Sequence, residues 1–229
     1  MQRQDTYTPL LHPFTKQNYF CKRSNSTTKI PSSSIMLKSL EIIGFLSGIL
    51  GVWLTMKKNL WCFPIGLINV TLSLYLFFLQ GLYADSLQQI VYIILLLYGW
   101  YTWNTTRSET QPPLVIGRLN SKEIFFTLLI IAITTLLLGT TLSKYTDAKL
   151  PFLDSFATSC AFLAQYFIAR KKIETWILWM IVNVIYVGIY LNNEMYLYVV
   201  LFGIYGILTV MGWNSWRTEL KISNAEITQ

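Results

Sequence analysis

Seven apolar runs of helix length dominate the chain, each closed by a short polar or basic break. They fall at about 40–56, 60–79, 86–103, 124–142, 152–169, 175–191 and 196–213. Runs of that length with almost no charge predict membrane-spanning α-helices, not the alternating short strands of an outer-membrane barrel. Lys57-Lys58-Asn59 stops the first run and Arg170-Lys171-Lys172 stops the fifth. Pro64 falls in the first turn of the second, where no intrahelical donor is lost. Gly81 to Asp85 reads as a turn, and Asn192-Asn193-Glu194 as another. Residues 1–35 are polar, basic and rich in Ser and Thr, and are expected to be disordered. They hold no apolar core of signal-peptide length, and Met36, just before the first run, is a candidate start. Residues 218–229 read as a frayed cytoplasmic tail.

The two halves overlay on each other. Lys57-Lys58 falls on Lys171-Lys172, and Asn69 on Asn183. After a one-residue slip Tyr83 falls on Tyr196, and the stretch Gly99 to Trp103 on Gly212 to Trp216; Trp61 matches Trp176 loosely. The expected architecture is all-α and integral to the membrane, with seven transmembrane helices in a 3+1+3 arrangement. One triple-helix bundle spans 38–104, a linker with a connector helix spans 105–150, and a second bundle spans 151–217. A single connector gives both triplets the same orientation, a parallel repeat about an axis along the membrane normal.

Composition agrees with that reading. Hydrophobic residues make up 53% and charged residues 13% of the chain, against about 25% charged in soluble domains. The formal charge of +7 is therefore a topology signal, not a sign of nucleic-acid binding. Basic residues gather in the loops of one side, which is expected to be cytoplasmic. That puts the C-terminus inside and the N-terminus outside. It also strands the basic tail outside, a conflict that a start at Met36 removes.

Enzyme signatures are missing. The single His12 lies in the polar tail, and no carboxylate pair falls inside a span. Asp85, Asp154, Glu174 and Glu194 sit at span ends, as caps or interfacial charges. Cys21, Cys62 and Cys160 lack metal-ligand spacing and read as free thiols. No cofactor or metal is expected.

Polar residues at membrane depth remain as candidates. Trp176, Trp179 and Asn183 are three and then four apart, hence on one helical face. Two indoles beside a neutral amide suit a flat, polar or cationic molecule. The same pattern also fits an interfacial Trp pair with an interhelical Asn bridge. Gln88 and Tyr92 share a face of the third span. Asn69, Gln165 and Trp61 complete the set. Trp100, Trp103, Trp213 and Trp216 read as belt residues and packing anchors. No Asp, Glu or His relay crosses the centre of a span, which points to passive transport; sodium held by carbonyls and hydroxyls stays open.

The residues resemble the PnuC-type vitamin transporters, a family of nicotinamide riboside carriers with close thiamine-carrying relatives. The likeness rests on Trp176-x-x-Trp179-x-x-x-Asn183, on Leu82-Tyr83-Ala84-Asp85 followed by Leu87-Gln88, and on Tyr98-Gly99-Trp100-Tyr101-x-Trp103. Glu174-x-Trp176 and Gly212-x-x-x-Trp216 also fit, and the likeness covers about 38–217. It implies a fold related to the SWEET sugar carriers and facilitated uptake across a bacterial inner membrane. It implies that a cytoplasmic kinase traps the vitamin. It places Trp176, Trp179 and Asn183 on the substrate, with Gln88 a further contact. The vitamin and the lipid bilayer are then the partners; association of copies stays open. Nicotinamide riboside stands first, then thiamine, then a sugar, then a non-transporting scaffold.

Overall fold

The computed structural model describes residues 34–79, 83–105, 115–146, 150–192, 194 and 196–227. The tail up to residue 33, with His12 and Cys21, lies outside them. Seven helices follow in order: α1 Ser34–Met56, α2 Cys62–Leu79, α3 Tyr83–Thr105, α4 Ser121–Tyr145, α5 Pro151–Ala169, α6 Thr175–Asn192 and α7 Tyr196–Ile227. Helix α1 therefore begins inside the stretch expected to be disordered. The turn expected at Gly81 to Asp85 also gives way, from Tyr83 on, to α3.

Five of these helices are long and apolar enough to cross a membrane: α2, α4, α5, α6 and the Tyr198–Ser223 part of α7. The apolar part of α1, Ile42–Met56, is shorter. Helix α3 has the length but carries Asp85, Gln88 and Gln89 within its first turns. Helix α4 leaves Phe125, Phe126, Leu128, Leu136 and Leu137 exposed. Such a surface is stable against lipid and unfavourable against water.

Helices α1, α2 and α3 pack in sequence, as do α5, α6 and α7, and α4 lies against α5. The principal seams between the two groups are α3 on α5 and α1 on α7. Both α1 and α5 end in a left-handed lysine, Lys58 at φ 54° and Lys171 at φ 48°. Each donates its backbone N–H back into the last turn, Lys58 to Thr55 at 2.9 Å and Lys171 to Ile168 at 3.0 Å. Lys58 thus matches Lys171, one residue away from the lysine-pair overlay. In this register Phe63, not Trp61, stands where Trp176 stands. The two N–H groups make the same bond, Phe63 to Leu60 and Trp176 to Ile173, each at 3.2 Å.

Among the described residues, the basic breaks after α1 and α5 and the described end of the linker gather at one end of the molecule, called here the basic end. Here the linker is stitched down. Gly117 donates to the Lys171 carbonyl at 3.1 Å, and Ile173 returns a bond to Gly117 at 3.0 Å. Lys172 Nζ donates to the Arg118 carbonyl at 2.9 Å and reaches Glu123 at 3.2 Å. Asn120 and Glu123 form a reciprocal cap on α4. Burial pushes Lys171 below the usual lysine range, and the nearby charge of Lys58 pushes the same way.

The C-terminal segment expected to fray is instead helical to Ile227. Its charge and its apolar face both find partners: Glu219 pairs with Lys58, and Leu220 is buried. Trp103 and Trp216 are interior residues, at 5% and 0% exposure: they are packing anchors, as expected, but not belt residues.

Trp103 meets Phe63 edge-on at 5.0 Å, and Trp216 meets Trp176 edge-on at 5.4 Å. Glycines make room for both pairs. A Cβ at Gly99 would run into the Phe63 ring and lie 3.2 Å from Ala169 Cβ; one at Gly212 would run into the indole of Trp176. Rigid rings cannot yield as a flexible chain end can. Gly99→Ala and Gly212→Ala should each lower stability by about 1–3 kcal/mol, despite alanine's better helix propensity. Thermal unfolding in detergent measures this; an unchanged or higher midpoint would mean the rings are loosely held.

A charge-free cavity between the two seams

A cavity of about 260 Å³ lies between the two helix triplets. Its walls come from α1, α2, α3, α5, α6 and α7. Every residue lining it is uncharged. This follows from the helix faces: the neutral polar residues of α1, α2 and α3 face those of α5, α6 and α7, while Lys58, Lys171 and Lys172 lie at the basic end.

Seven of the eight candidate residues line this cavity: Trp176, Trp179, Asn183, Gln88, Tyr92, Asn69 and Gln165. Trp61 does not. It is 67% exposed, and its backbone N–H is bonded to Asn59 Oδ1 at 3.0 Å in the turn before α2. The loose match of Trp61 to Trp176 is a register error, and Phe63 takes the wall position.

The two asparagines do structural work as well as lining the wall. Asn183 Nδ2 donates to Thr209 Oγ1 at 3.1 Å, tying α6 to α7. Asn69 Nδ2 donates to the Gly44 carbonyl at 2.6 Å and to Ser47 Oγ at 3.3 Å, tying α2 to α1. The interhelical bridge and the cavity wall, alternatives by spacing alone, coexist in the same side chains. Gln88 hydrogen-bonds Tyr92 one turn along α3, and the Tyr92 ring meets Phe162 of α5 at 5.3 Å. Gln165 is buried on α5.

Trp176 is the floor of the cavity at its basic end. It is 2% exposed, yet its indole N–H has no partner. A buried donor left unpaired costs about 1–3 kcal/mol, and such a donor at a cavity wall suits an incoming acceptor. Spacing did not single out Phe63, Tyr186, Tyr205 or Thr209, which also line the wall. Thr209 is visible only as the partner of Asn183. Phe63 is visible only once the repeat is set in the correct register.

A helical membrane bundle around a neutral, aromatic-and-amide cavity has the build of a membrane transporter. The family described as nicotinamide mononucleotide transporter matches residues 38–218, and the chain belongs to that family. It is 29% identical to the nicotinamide riboside transporter PnuC of Escherichia coli (strain K12), over 70% of this chain and 77% of that one. It is 24% identical to the riboflavin/roseoflavin transporter RibM of Streptomyces davaonensis, over 77% of this chain and 83% of the relative. The fold resembles the crystal structure of the vitamin B3 transporter PnuC, with a TM-score of 0.64 at 21% identity, covering 80% of this chain and 83% of that one. Family and fold are those of transporters and not of enzymes.

The α1–α7 wall is tightly fitted. A Cβ at Gly48 would run into the Tyr205 hydroxyl and lie 3.4 Å from Asn69 Nδ2. Gly48→Ala should therefore destabilise the fold and Tyr205→Phe should relieve it. A coupling of about 0.5–3 kcal/mol is expected from the double-mutant cycle in thermal unfolding. Strict additivity would place the two groups out of contact.

Proposed function

We propose that the chain is a facilitated carrier of nicotinamide riboside in a bacterial inner membrane. The carrying observation is the neutral cavity walled by Trp176, Trp179, Asn183 and Gln88 in a member of this family. The substrate is a pyridinium cation bearing a carboxamide and a ribose. Indole faces attract such a ring at about 0.5–2 kcal/mol per contact. The unpaired N–H of Trp176 suits the carboxamide oxygen, and the amides of Asn183, Gln88, Asn69 and Gln165 suit hydroxyls. Tyr92 adds a ring and a hydroxyl. No carboxylate is needed in the wall, since the rings supply the field.

Seven crossings in a 3+1+3, SWEET-like parallel repeat are part of this reading. They are supported by the matched lysine caps, by the paired aromatic contacts and by the two seams. The lysines around the basic end support a cytoplasmic position for that end, with the C-terminus inside and the N-terminus outside. The two triplets rock about the cavity, exposing it alternately to each side. With neutral walls there is no proton relay. Net inward movement then depends on a cytoplasmic kinase that phosphorylates the vitamin and holds it inside.

Size favours the smaller vitamins. Ligand pockets commonly measure about 300–1,000 Å³, and this one lies just below that range. A two-ring riboside fits it more readily than the three fused rings and ribityl chain of a flavin.

Purified protein should be stabilised by nicotinamide riboside in proportion to ligand concentration over Kd, more than by thiamine or riboflavin. Stabilisation by sugars alone would reassign the carrier to the sugar class. Trp179→Leu should weaken binding roughly 3- to 30-fold, read by calorimetry. Uptake into proteoliposomes should saturate and survive collapse of proton and sodium gradients. A scaffold would give no saturable uptake, and ion-dependent uptake would sink the passive mechanism.

A further inference from the structure

Behind the cavity floor, at the basic end, lies a second aromatic layer that the substrate site does not use. Phe63 and Trp176 line the cavity, while Trp103 and Trp216, packed edge-on against them, do not. These two indoles share an unusual role. Trp103 of α3 donates its Nε1–H to the Ile168 carbonyl of α5 at 3.1 Å. Trp216 of α7 donates its Nε1–H to the Met56 carbonyl of α1 at 3.2 Å. Each bond crosses one of the two seams, and the two travel in opposite senses between the triplets.

The acceptors explain the placement. Met56 and Ile168 lie in the last turn of α1 and α5, where carbonyls leave the regular helical ladder; the Ile168 carbonyl already accepts the Lys171 N–H at 3.0 Å and takes the indole as a second donor on its other lone pair. Both helices stop at a left-handed lysine two or three residues later. An indole from the opposite triplet takes up an acceptor there. Neighbouring charges hold the rings down. Lys171 Nζ lies 4.8 Å over the Trp103 ring, and Lys58 pairs with Glu219, one turn past Trp216. The rings are buried, at 5% and 0% exposure.

We infer that Trp103 and Trp216 are the two bolts of a gate at the basic end. The cavity reaches that side only when both indole–carbonyl bonds across the seams are broken. Opening is cheap because helix-end carbonyls near the membrane surface can take water in place of the indole. Closing is specific because each ring has one acceptor and one partner ring. The gate rests on the transport reading above, since a scaffold has no need of one.

The test uses native thiols. Cys62 lines the cavity at the start of α2 and is 4% exposed; Cys160 is 1% exposed, in the α5 core, and does not line the cavity. Two backgrounds of the full chain in membrane vesicles retain one thiol each, with Cys21 and the other cysteine replaced by serine or alanine. Trp103→Phe and Trp216→Phe keep the ring and delete the donor. Each is expected to raise the rate of Cys62 modification by a membrane-impermeant maleimide about three- to tenfold. The rise should occur only from the side of the basic end, and the double variant should exceed either single one. Cys160 modification and the Kd for nicotinamide riboside should stay within about twofold. Unchanged Cys62 labelling, equal increases from both faces, or parallel increases at Cys160 would each overturn the gate, the last by showing general loosening. If the double variant does not fold, the singles decide. Labelling needs no substrate, so a protein that fails to bind nicotinamide riboside but shows sided labelling loses the proposed substrate and keeps the gate.

Discussion

A polar solute can pass between helices in lipid only if the space it uses is polar without being charged. That constraint governs the rest of this structure. An isolated ion in the wall would need a partner at every stage of the cycle, at a cost of several kcal/mol when unpaired. Neutral amides and indoles avoid this. Asn183 and Asn69 remain satisfied through Thr209, Gly44 and Ser47 while also facing the cavity. The wall therefore holds its shape empty.

Charge is displaced to the ends of helices instead, with Asp85 and Asp154 in the first turns of α3 and α5 and the lysines at the basic end. Lys58 and Lys171 close α1 and α5 in the left-handed conformation. Lys172 ties the linker to the α5–α6 turn. Two glycines, Gly99 and Gly212, let aromatic rings approach the backbones of α3 and α7. The outcome is two like clusters, Phe63 with Trp103 and Trp176 with Trp216, each within its own triplet and each bonded across a seam to the other. Such an arrangement adds one directional bond at the basic end to each seam, beside the ring contacts Tyr92 on Phe162 and Tyr98 on Tyr166 between α3 and α5.

At the opposite end of the cavity the packing is of another kind. Tyr186, Tyr190, Tyr198 and Phe202 form a cluster of rings, with Tyr190 stacked on Tyr198 at 5.0 Å. Helix α5 meets them with small residues, Ala157, Ala161 and Ala164. That face of α5 explains why it is the most buried of the membrane-crossing helices. It contacts α3, α4 and α6 at once, and its small residues let these helices approach closely, while Phe162 and Tyr166 fill the seam with α3.

Apolar run length and the positions of lysines were enough to place all seven helices in the chain, because the cost of unpaired backbone in lipid leaves helices as the only solution for such runs. The family was legible too, since Trp176, Trp179 and Asn183 keep their spacing whatever surrounds them. What local pattern could not supply was which polar groups meet across helices. Trp61 matched Trp176 only loosely, and it is exposed, since the capping lysines set a register that puts Phe63 in the wall. Residues past Arg217 looked like tail, yet they continue α7 to Ile227, with Leu220 buried and Glu219 paired to Lys58, over 150 positions earlier. Trp103 and Trp216 read as belt residues and packing anchors; they are anchors, and spacing gave no sign of the carbonyl each one meets across a seam. Spacing determines the face of a helix on which a residue lies. Only tertiary packing decides what that face meets, because the partners come from distant parts of the chain and are chosen by fit and hydrogen bonding, not by period.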